Sequence, residues 1–182
     1  MSPALVLFFS KFLLRHPLAR SDIEDFTGES HFQWIIPDPE HGKSIKEPAE
    51  IERVILCTGQ VYAALHKHRA SKKFDTTAIT RIEQLNPFPW QQLQENLDMY
   101  PNAKTIVWCQ EEPLNAGSWS FTQPRIETLL NHTKHHDRKH VMYAGRNPSA
   151  SVATGLKSTH TKEEQDLLNT AFTVTQDKLK GE

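Results

Sequence analysis

Carboxylate, amide and guanidinium side chains suited to binding an anion or transferring a proton lie in two motifs of the sequence. VWCQEEPLNAGSW at 107–119 places Glu111 and Glu112 directly after an apolar run, and YAGRNPSASVATG at 143–155 places Arg146 in a loop of small residues. Ligands of open α/β sheets bind at the carboxyl ends of strands. An arginine there can clamp a carboxylate or phosphate; a flexible connection to the last helix is the equally supported alternative.

The adjacent acidic residues Glu111 and Glu112 allow two interpretations. Neighbouring side chains on a strand point to opposite faces of the sheet, so we expect one carboxylate to be structural and the other exposed. An ion pair with Arg81 or Arg146 explains these residues at least as well as acid–base catalysis does. The sequence therefore identifies no catalytic residue at this position.

Metal and phosphate chemistry find little support elsewhere in the chain. The string TKHHDRKH groups His135, His136 and His140, but it lies in a polar stretch between a predicted helix and a predicted strand. Structural metal sites need ligands that are fixed at defined spacings, so we interpret this stretch as a solvated loop. HGKS at 41–44 resembles the end of a phosphate-binding loop but lacks the earlier glycine that such loops require.

Composition places the chain among soluble globular proteins. Its 182 residues are 37% hydrophobic and 24% charged, with a net charge of −1, which is enough for one domain with a core. Without a basic field no nucleic-acid partner is expected, and no apolar run is long enough for a membrane span. Cys57 and Cys109 lie in apolar runs and are predicted to be buried free thiols.

Apolar strands alternate with amphipathic helices from residue 53 onward, a pattern that predicts an α/β fold with a mainly parallel sheet and helices on both faces. Proline is expected to break one helix early, near Pro124. Thr161 with Glu164 forms a capping box that predicts the start of the last helix. The predicted strands are 53–57, 77–82, 104–110 and 140–144, and the predicted helices are 60–73, 90–100, 118–131 and 162–172.

The first 50 residues have a different character. Residues 4–9 are apolar and predict a buried strand, whereas 37–50, with three prolines and one glycine among charges, predict a surface linker. The expected organisation is therefore a first segment at 1–36, a linker at 37–50, a domain at 51–175 and a tail at 176–182. No Arg- and Ser-rich amphipathic import signal is recognised.

Six strings together resemble one family, the decarboxylating component of 2-oxoglutarate dehydrogenases, in its C-terminal part and its fungal branch. They follow the family's order and spacing from about residue 5 to about residue 174. The strings are FFSKFLLRHPLA at 8–19, HFQWIIPD at 31–38, CTGQVYAAL at 57–65, AITRIEQLNPFPW at 78–90, and the two motifs at 107–119 and 143–155.

The resemblance implies a transketolase C-terminal-like domain preceded by a remnant of the pyrimidine-binding domain at residues 1–36. It implies a parent enzyme of the tricarboxylic acid cycle in the mitochondrial matrix, a homodimer that uses thiamine diphosphate and magnesium. The parent transfers succinyl to the lipoyl arm of the succinyltransferase component. The family's Gly-Asp-Gly…Asn motif, which binds the diphosphate and magnesium, is absent from the 182 residues. We therefore expect a truncated chain that binds no cofactor and is inactive alone.

The resemblance also suggests which residues serve the parent enzyme. The alternative to a domain of the parent enzyme is a non-catalytic module that docks on a dehydrogenase complex. No catalytic or metal-binding residue is assigned. The candidates for effector or anion binding are Arg81, Arg146, Asn147 and Ser149, and those for interdomain or dimer contacts are Arg15, His16, Glu111, Glu112 and Asn115.

Overall fold

The computed structural model describes residues 4, 6 and 10–175, which fall into two compact units, Met1–Phe32 and Gln33–Glu182. Most of the strand predicted at 4–9 lies outside the described residues, and Ala4 and Val6 are not in a strand. The tail predicted at 176–182 also lies outside them.

The first unit consists of short 3₁₀ turns. They span Leu13–Arg15, Pro17–Ala19 and Ile23–Phe26. His16 caps the second turn, since its Nδ1 accepts a hydrogen bond from the Leu18 N–H at 3.2 Å. No described residue of this unit is buried, so its turns are stabilised by local hydrogen bonds and not by an apolar core of their own.

A five-stranded sheet forms the centre of the second unit. Its strands are β1 (Ile35–Ile36), β2 (Arg53–Cys57), β3 (Thr77–Ile82), β4 (Thr105–Pro113) and β5 (Val141–Arg146), in the order β1-β3-β2-β4-β5. The short β1 pairs antiparallel with β3, and the other pairs are parallel. The carboxyl ends of β2 to β5 therefore meet at one edge of the sheet, which we call the carboxyl edge.

Four α-helices of the described residues cover the sheet: α1 (Val61–Lys72), α2 (Trp90–Asp98), α3 (Trp119–Leu130) and α4 (Lys157–Thr173). Val54 and Leu56 of β2 pack in one core cluster with residues of α2 and α3, whereas Ile55 and Cys57 pack in another with residues of α1 and α4. This alternation follows from the two-residue period of a strand. The predicted three-layer α/β fold with helices on both faces is confirmed.

Burial of both cysteines is confirmed as well. Cys57 and Cys109 are free and fully buried on neighbouring strands. Burial raises the pKa of each thiol, and the nearby Glu111 carboxylate raises that of Cys109 further. Since the thiolate is the nucleophile, neither cysteine is activated for chemistry.

The break predicted at Pro124 was wrong, because α3 continues through it. The proline ring removes the N–H that would bond the Ser120 carbonyl, which lies in the first turn of the helix. Beyond the proline, Ile126 and Leu130 are fully buried. Burial of this apolar face keeps the helix continuous despite the missing bond.

The helix start predicted at Thr161 was also wrong. Helix α4 begins at Lys157, and the Thr161 hydroxyl donates to the Lys157 carbonyl at 3.0 Å from inside the helix. Such back-bonding to the preceding turn is available to any helical threonine, so a local Thr-x-x-Glu pattern does not by itself fix a helix start.

The second unit begins at Gln33, before the predicted linker, and Asp38 within that predicted linker is buried. The Asp38 carboxylate forms an ion pair with Arg69 of α1 and accepts the Ile79 N–H at 2.7 Å. Arg69 also donates to the Thr77 carbonyl at 3.2 Å. Because β1 pairs only with the end of β3, Asp38 and Arg69 satisfy the backbone of β3 where no strand does. Ile45, from the same segment, joins the core.

Replacing Asp38 by alanine should lower the free energy of unfolding by about 3–5 kcal/mol, because the buried Arg69 charge loses its partner. Urea denaturation of the purified chain measures this loss. Glu52→Ala is the matched control: Glu52 pairs with Lys104 at 2.8 Å, but the two side chains are 53% and 74% exposed, so the loss should be about 0–1 kcal/mol. Equal losses in the two variants would contradict the structural role given to Asp38.

Candidate functional site at the carboxyl edge

The strand-end residues selected from the sequence do share the carboxyl edge. Arg81 pairs in register with Cys57, which also pairs with Cys109, and Arg146 pairs with Pro113. Arg81 lies on β3 and Arg146 on β5, with β2 and β4 between them. Three strand spacings separate their backbones by roughly 14 Å, and each guanidinium is held by its own carboxylate, Glu83 or Glu163, so the two arginines do not form one clamp for a small anion.

Arg81 lies over the aromatic ring of Tyr62. Its guanidinium carbon is 4.5 Å from the ring centroid, a cation–π distance. Its Nε is 3.6 Å from the Glu83 carboxylate, and the side chain is 25% exposed. Burial raises the pKa of Tyr62, and the Arg81 charge opposes that rise. Arg81 therefore retains a solvent-facing surface beside a loosely placed carboxylate.

The carboxylate of Glu111 accepts hydrogen bonds from Gln60, whose Nε2 lies 2.8 and 3.0 Å from its two oxygens. Desolvation raises the Glu111 pKa, and the Gln60 hydrogen bond opposes that rise. Glu111 and Glu112 are both exposed. In the described part of the chain, Arg81 forms its ion pair with Glu83, and Arg146 forms its ion pair with Glu163. The interpretation that Glu111 or Glu112 pairs with one of these arginines was therefore wrong.

The buried amide of Gln110 organises the turn after β4, and the sequence reading missed it. Its Oε1 accepts from the Trp108 indole N–H and the Trp119 backbone N–H, each at 3.0 Å. Its Nε2 donates to the carbonyls of Pro113 at 3.1 Å and Glu112 at 3.3 Å. The available signal was a glutamine that ends an apolar strand, because a buried amide needs partners for both its ends.

Arg146 is held by partners from its own loop and from α4. Its Nε donates to the Glu163 carboxylate, its Nη1 to the Val152 carbonyl and its Nη2 to the Thr154 hydroxyl, each at 2.8 Å. The hydrogen bond from Thr154 and those from Arg146 lower the Glu163 pKa. The Arg146 side chain is 11% exposed, so little of its guanidinium is open to an external anion.

Asn115 and Ser149 join the two loops of the carboxyl edge. The Asn115 amide donates to the Ser149 carbonyl and accepts the Ser149 N–H, each at 3.0 Å. Asn147 is exposed in the same loop. Tyr143 lies below this loop and donates to the Arg146 carbonyl at 2.9 Å; burial raises the pKa of Tyr143 to about 12. The loop after β5 is therefore tied down at several points.

Arg15 and His16 lie in the first unit. His16 is half-buried beside Phe12, with ring centroids 4.7 Å apart, and Arg15 ends the first 3₁₀ turn. Their roles at an interdomain or dimer contact stay predictions.

The histidine-rich stretch is only partly the solvated loop that was predicted. His135 and His140 are exposed, but His136 is completely buried, with its Nε2 3.0 Å from the Leu97 carbonyl oxygen. The loop folds back on the end of α2, which the polar composition does not reveal. Within residues 10–175 and the described residues before them, no three His, Cys, Asp or Glu side chains are placed to hold a metal ion. No helix in the described part of the chain is long and apolar enough to cross a membrane.

Substituting Gly117 with alanine should lower the free energy of unfolding by about 1–3 kcal/mol. A Cβ at Gly117 would clash with Nε2 of Gln110, and the glutamine can move only by giving up its buried hydrogen bonds. Gly155→Ala is the control, because a Cβ there meets nothing within 4 Å, and it should change stability by less than about 0.5 kcal/mol. Thermal denaturation of both variants measures the difference. A stable Gly117→Ala protein would show that Gln110 does not need its observed position.

Comparison with known proteins places the chain in a family. The family model described as 2-oxoglutarate dehydrogenase C-terminal matches residues 20–172. The mitochondrial 2-oxoglutarate dehydrogenases of Saccharomyces cerevisiae and Schizosaccharomyces pombe are 56% and 54% identical, over 92% of this chain. The chain spans 16% of the length of each of these relatives.

A solved structure described as split gene transketolase, inactive beta4 tetramer, is similar at 12% identity and a TM-score of 0.43, over 71% of this chain and 41% of that one. The family match, in contrast, extends over both motifs of the carboxyl edge and most of the chain. The chain therefore belongs to the 2-oxoglutarate dehydrogenase family, and it corresponds to the C-terminal domain of that family's members.

Proposed function

We propose that this chain serves as the C-terminal domain of a thiamine-diphosphate-dependent 2-oxoglutarate dehydrogenase. The parent enzyme decarboxylates 2-oxoglutarate and transfers succinyl to lipoamide on the succinyltransferase component, in the tricarboxylic acid cycle of the mitochondrial matrix. The observation that carries this proposal is the family match over residues 20–172, together with relatives named mitochondrial 2-oxoglutarate dehydrogenases.

The 182 residues alone do not catalyse this reaction in our proposal. Thiamine diphosphate and magnesium supply its chemistry, and the Gly-Asp-Gly…Asn motif that holds them in the family is not among these residues. The described residues offer no metal-binding cluster. The buried cysteines and the hydrogen-bonded Glu111 are not activated groups. The described residues thus do not fit the cofactor, and we derive no catalytic step from them.

The role of this domain is instead to support dimerisation and to bind an anionic effector at the carboxyl edge. Arg81 is suited to the effector because its guanidinium is partly exposed and its carboxylate partner lies at 3.6 Å. Arg146 and Ser149 act through the tied loop that they hold, and Asn147 is exposed beside them. The exposed carboxylates of Glu111 and Glu112 are available for a contact between subunits.

Further contacts within the dimer or between domains involve Arg15, His16 and Asn115. The alternative is a non-catalytic module that docks on a dehydrogenase complex. The exposed apolar side chains of the first unit favour such contacts, since Phe12, Ile23 and Phe26 are all exposed there and exposed apolar surface marks interaction sites. Co-purification of the chain with the full-length dehydrogenase, but without gain or loss of turnover, would support docking alone.

The purified 182-residue chain, supplied with thiamine diphosphate, magnesium and 2-oxoglutarate, should release no carbon dioxide above the rate without protein. Decarboxylation can be followed with labelled 2-oxoglutarate. Full-length 2-oxoglutarate dehydrogenase under the same conditions is the positive control. Turnover by the isolated chain that depends on thiamine diphosphate would contradict the proposed division of labour.

Arg81→Ala should weaken the binding of an anionic effector about tenfold or more, because it removes a charge-assisted hydrogen bond. Isothermal titration calorimetry with nucleotides and acyl-coenzyme A measures the dissociation constants. Arg125→Ala is the matched control, since Arg125 lies on α3 over the Phe121 ring and away from the edge. Arg146→Ala tests the tied loop separately. Equal binding heats for the wild-type chain and both edge variants would remove the anion site from the proposal.

A further inference from the structure

The loop at residues 131–140, between α3 and β5, contains one histidine in an unusual setting. His136 is 0% exposed, and both of its ring nitrogens have partners. Nε2 lies 3.0 Å from the Leu97 carbonyl oxygen, and Nδ1 lies 2.9 Å from the Lys139 ammonium. A buried imidazole between a carbonyl and an ammonium group has only one compatible protonation state.

That state follows from the hydrogen-bonding capacity of the two partners. The carbonyl of Leu97 can only accept, so Nε2 carries the proton, and the ammonium of Lys139 can only donate, so Nδ1 presents its lone pair. His136 is therefore neutral. A second proton would have to bind at Nδ1, where it would face the Lys139 ammonium only 2.9 Å away.

Lys139 is fixed in place by further acceptors. Its Nζ donates to the Ala103 carbonyl at 2.6 Å and to the His135 carbonyl at 3.3 Å. Asp98, at the end of α2, accepts the Lys134 N–H at 2.8 Å. His136 and Lys139 thus connect two segments, residues 97–103, which include the end of α2, and the loop at 131–140. Both segments precede a strand, so they lie at the amino edge of the sheet, opposite the carboxyl edge.

We propose that His136 and Lys139 form an acid-sensitive latch, which joins residues 97–103 to the loop at 131–140 and opens when the imidazole takes up a second proton. The opening requires no ligand and does not depend on the function proposed for the carboxyl edge. It makes the amino edge of this domain responsive to acidification while the core clusters stay packed.

The surrounding charges set the direction of the response. Burial lowers the pKa of His136, and Lys139 and His135 lower it further, whereas the Leu97 carbonyl and Asp98 raise it. Because the pKa in the closed state lies below that in the open state, the latch is fully stabilising above the ordinary histidine value. Its stabilisation is lost as the pH falls through that value and towards the lowered pKa.

Hydrogen–deuterium exchange of peptides from residues 131–140 tests the latch in the full chain. After correction for the intrinsic chemical rate, the opening constant of this loop should rise by up to about 30-fold between about pH 7.5 and about pH 5, as expected for one histidine that can be protonated only when open. Only the pH is varied in this experiment, and no ligand is added.

His136→Gln should abolish this rise, because its amide can donate to Leu97 and accept from Lys139 but cannot titrate. His132→Gln, which changes an exposed histidine of the same loop, should keep the rise. A rise that persists unchanged in His136→Gln would overturn the latch. Should that variant not fold, the NMR titration of His136 in the wild-type chain decides: an ordinary pKa with the loop still protected overturns the proposal, and protonation coupled to loss of protection supports it.

Discussion

The buried contact between Asp38 and Arg69 supplies hydrogen-bond partners to β3 along the part of the strand that the short β1 leaves unpaired. Strand β1 is two residues long and pairs with the last residues of β3, and the backbone of β3 before that point needs other partners. The Asp38 carboxylate accepts the Ile79 N–H, and the Arg69 guanidinium donates to the Thr77 carbonyl. Because Arg69 belongs to α1, the same contact fixes that helix against the sheet. A buried ion pair is tolerated here because its hydrogen bonds offset the desolvation of both charges.

A different constraint shapes the carboxyl edge, where neutral amides organise the backbone and the charges are satisfied around them. The Gln110 side chain forms hydrogen bonds with both ends of the turn after β4, and the Asn115 side chain forms a hydrogen bond with the loop after β5. Arg146 donates hydrogen bonds to that loop and to Glu163 of α4. Side chains that look available for chemistry in the sequence are thus largely committed to holding two loops in position. Arg81, which lies on Tyr62, keeps more of its surface open.

The amino edge follows a third arrangement, in which two basic side chains, the buried His136 and the half-buried Lys139, are held together. Lys139 donates to His136 and to the carbonyls of Ala103 and His135, and His136 donates to the Leu97 carbonyl of α2. Two adjacent basic groups are compatible only while one of them is neutral. The two edges of the sheet therefore differ in character: the carboxyl edge is held by amides and paired charges, and the amino edge by a single protonation state.

The sequence by itself determined the layers of this domain, because burial along a chain is a local, periodic property. The β-branched runs RVILC and TAITRI match β2 and β3 residue for residue, and Leu93 and Leu97 mark the buried face of α2. The family strings could also be read without a structure. Helix ends were less well determined, because a Thr-x-x-Glu pattern or a proline acts on one turn, while packing of a whole face decides how far a helix extends.

Only the tertiary structure decided which polar groups meet. Asp38 and Arg69 are 31 residues apart, and Gln60 and Glu111 are 51 apart. Asp38 lies in a proline-rich stretch that resembles a linker, and His136 lies in a charged stretch that resembles a solvated loop. Composition reports the average polarity of such a segment, whereas the free energy of a polar group depends on the one partner within hydrogen-bonding distance. That partner comes from a distant part of the chain, so the pairing exists only once the sheet and its helices have assembled.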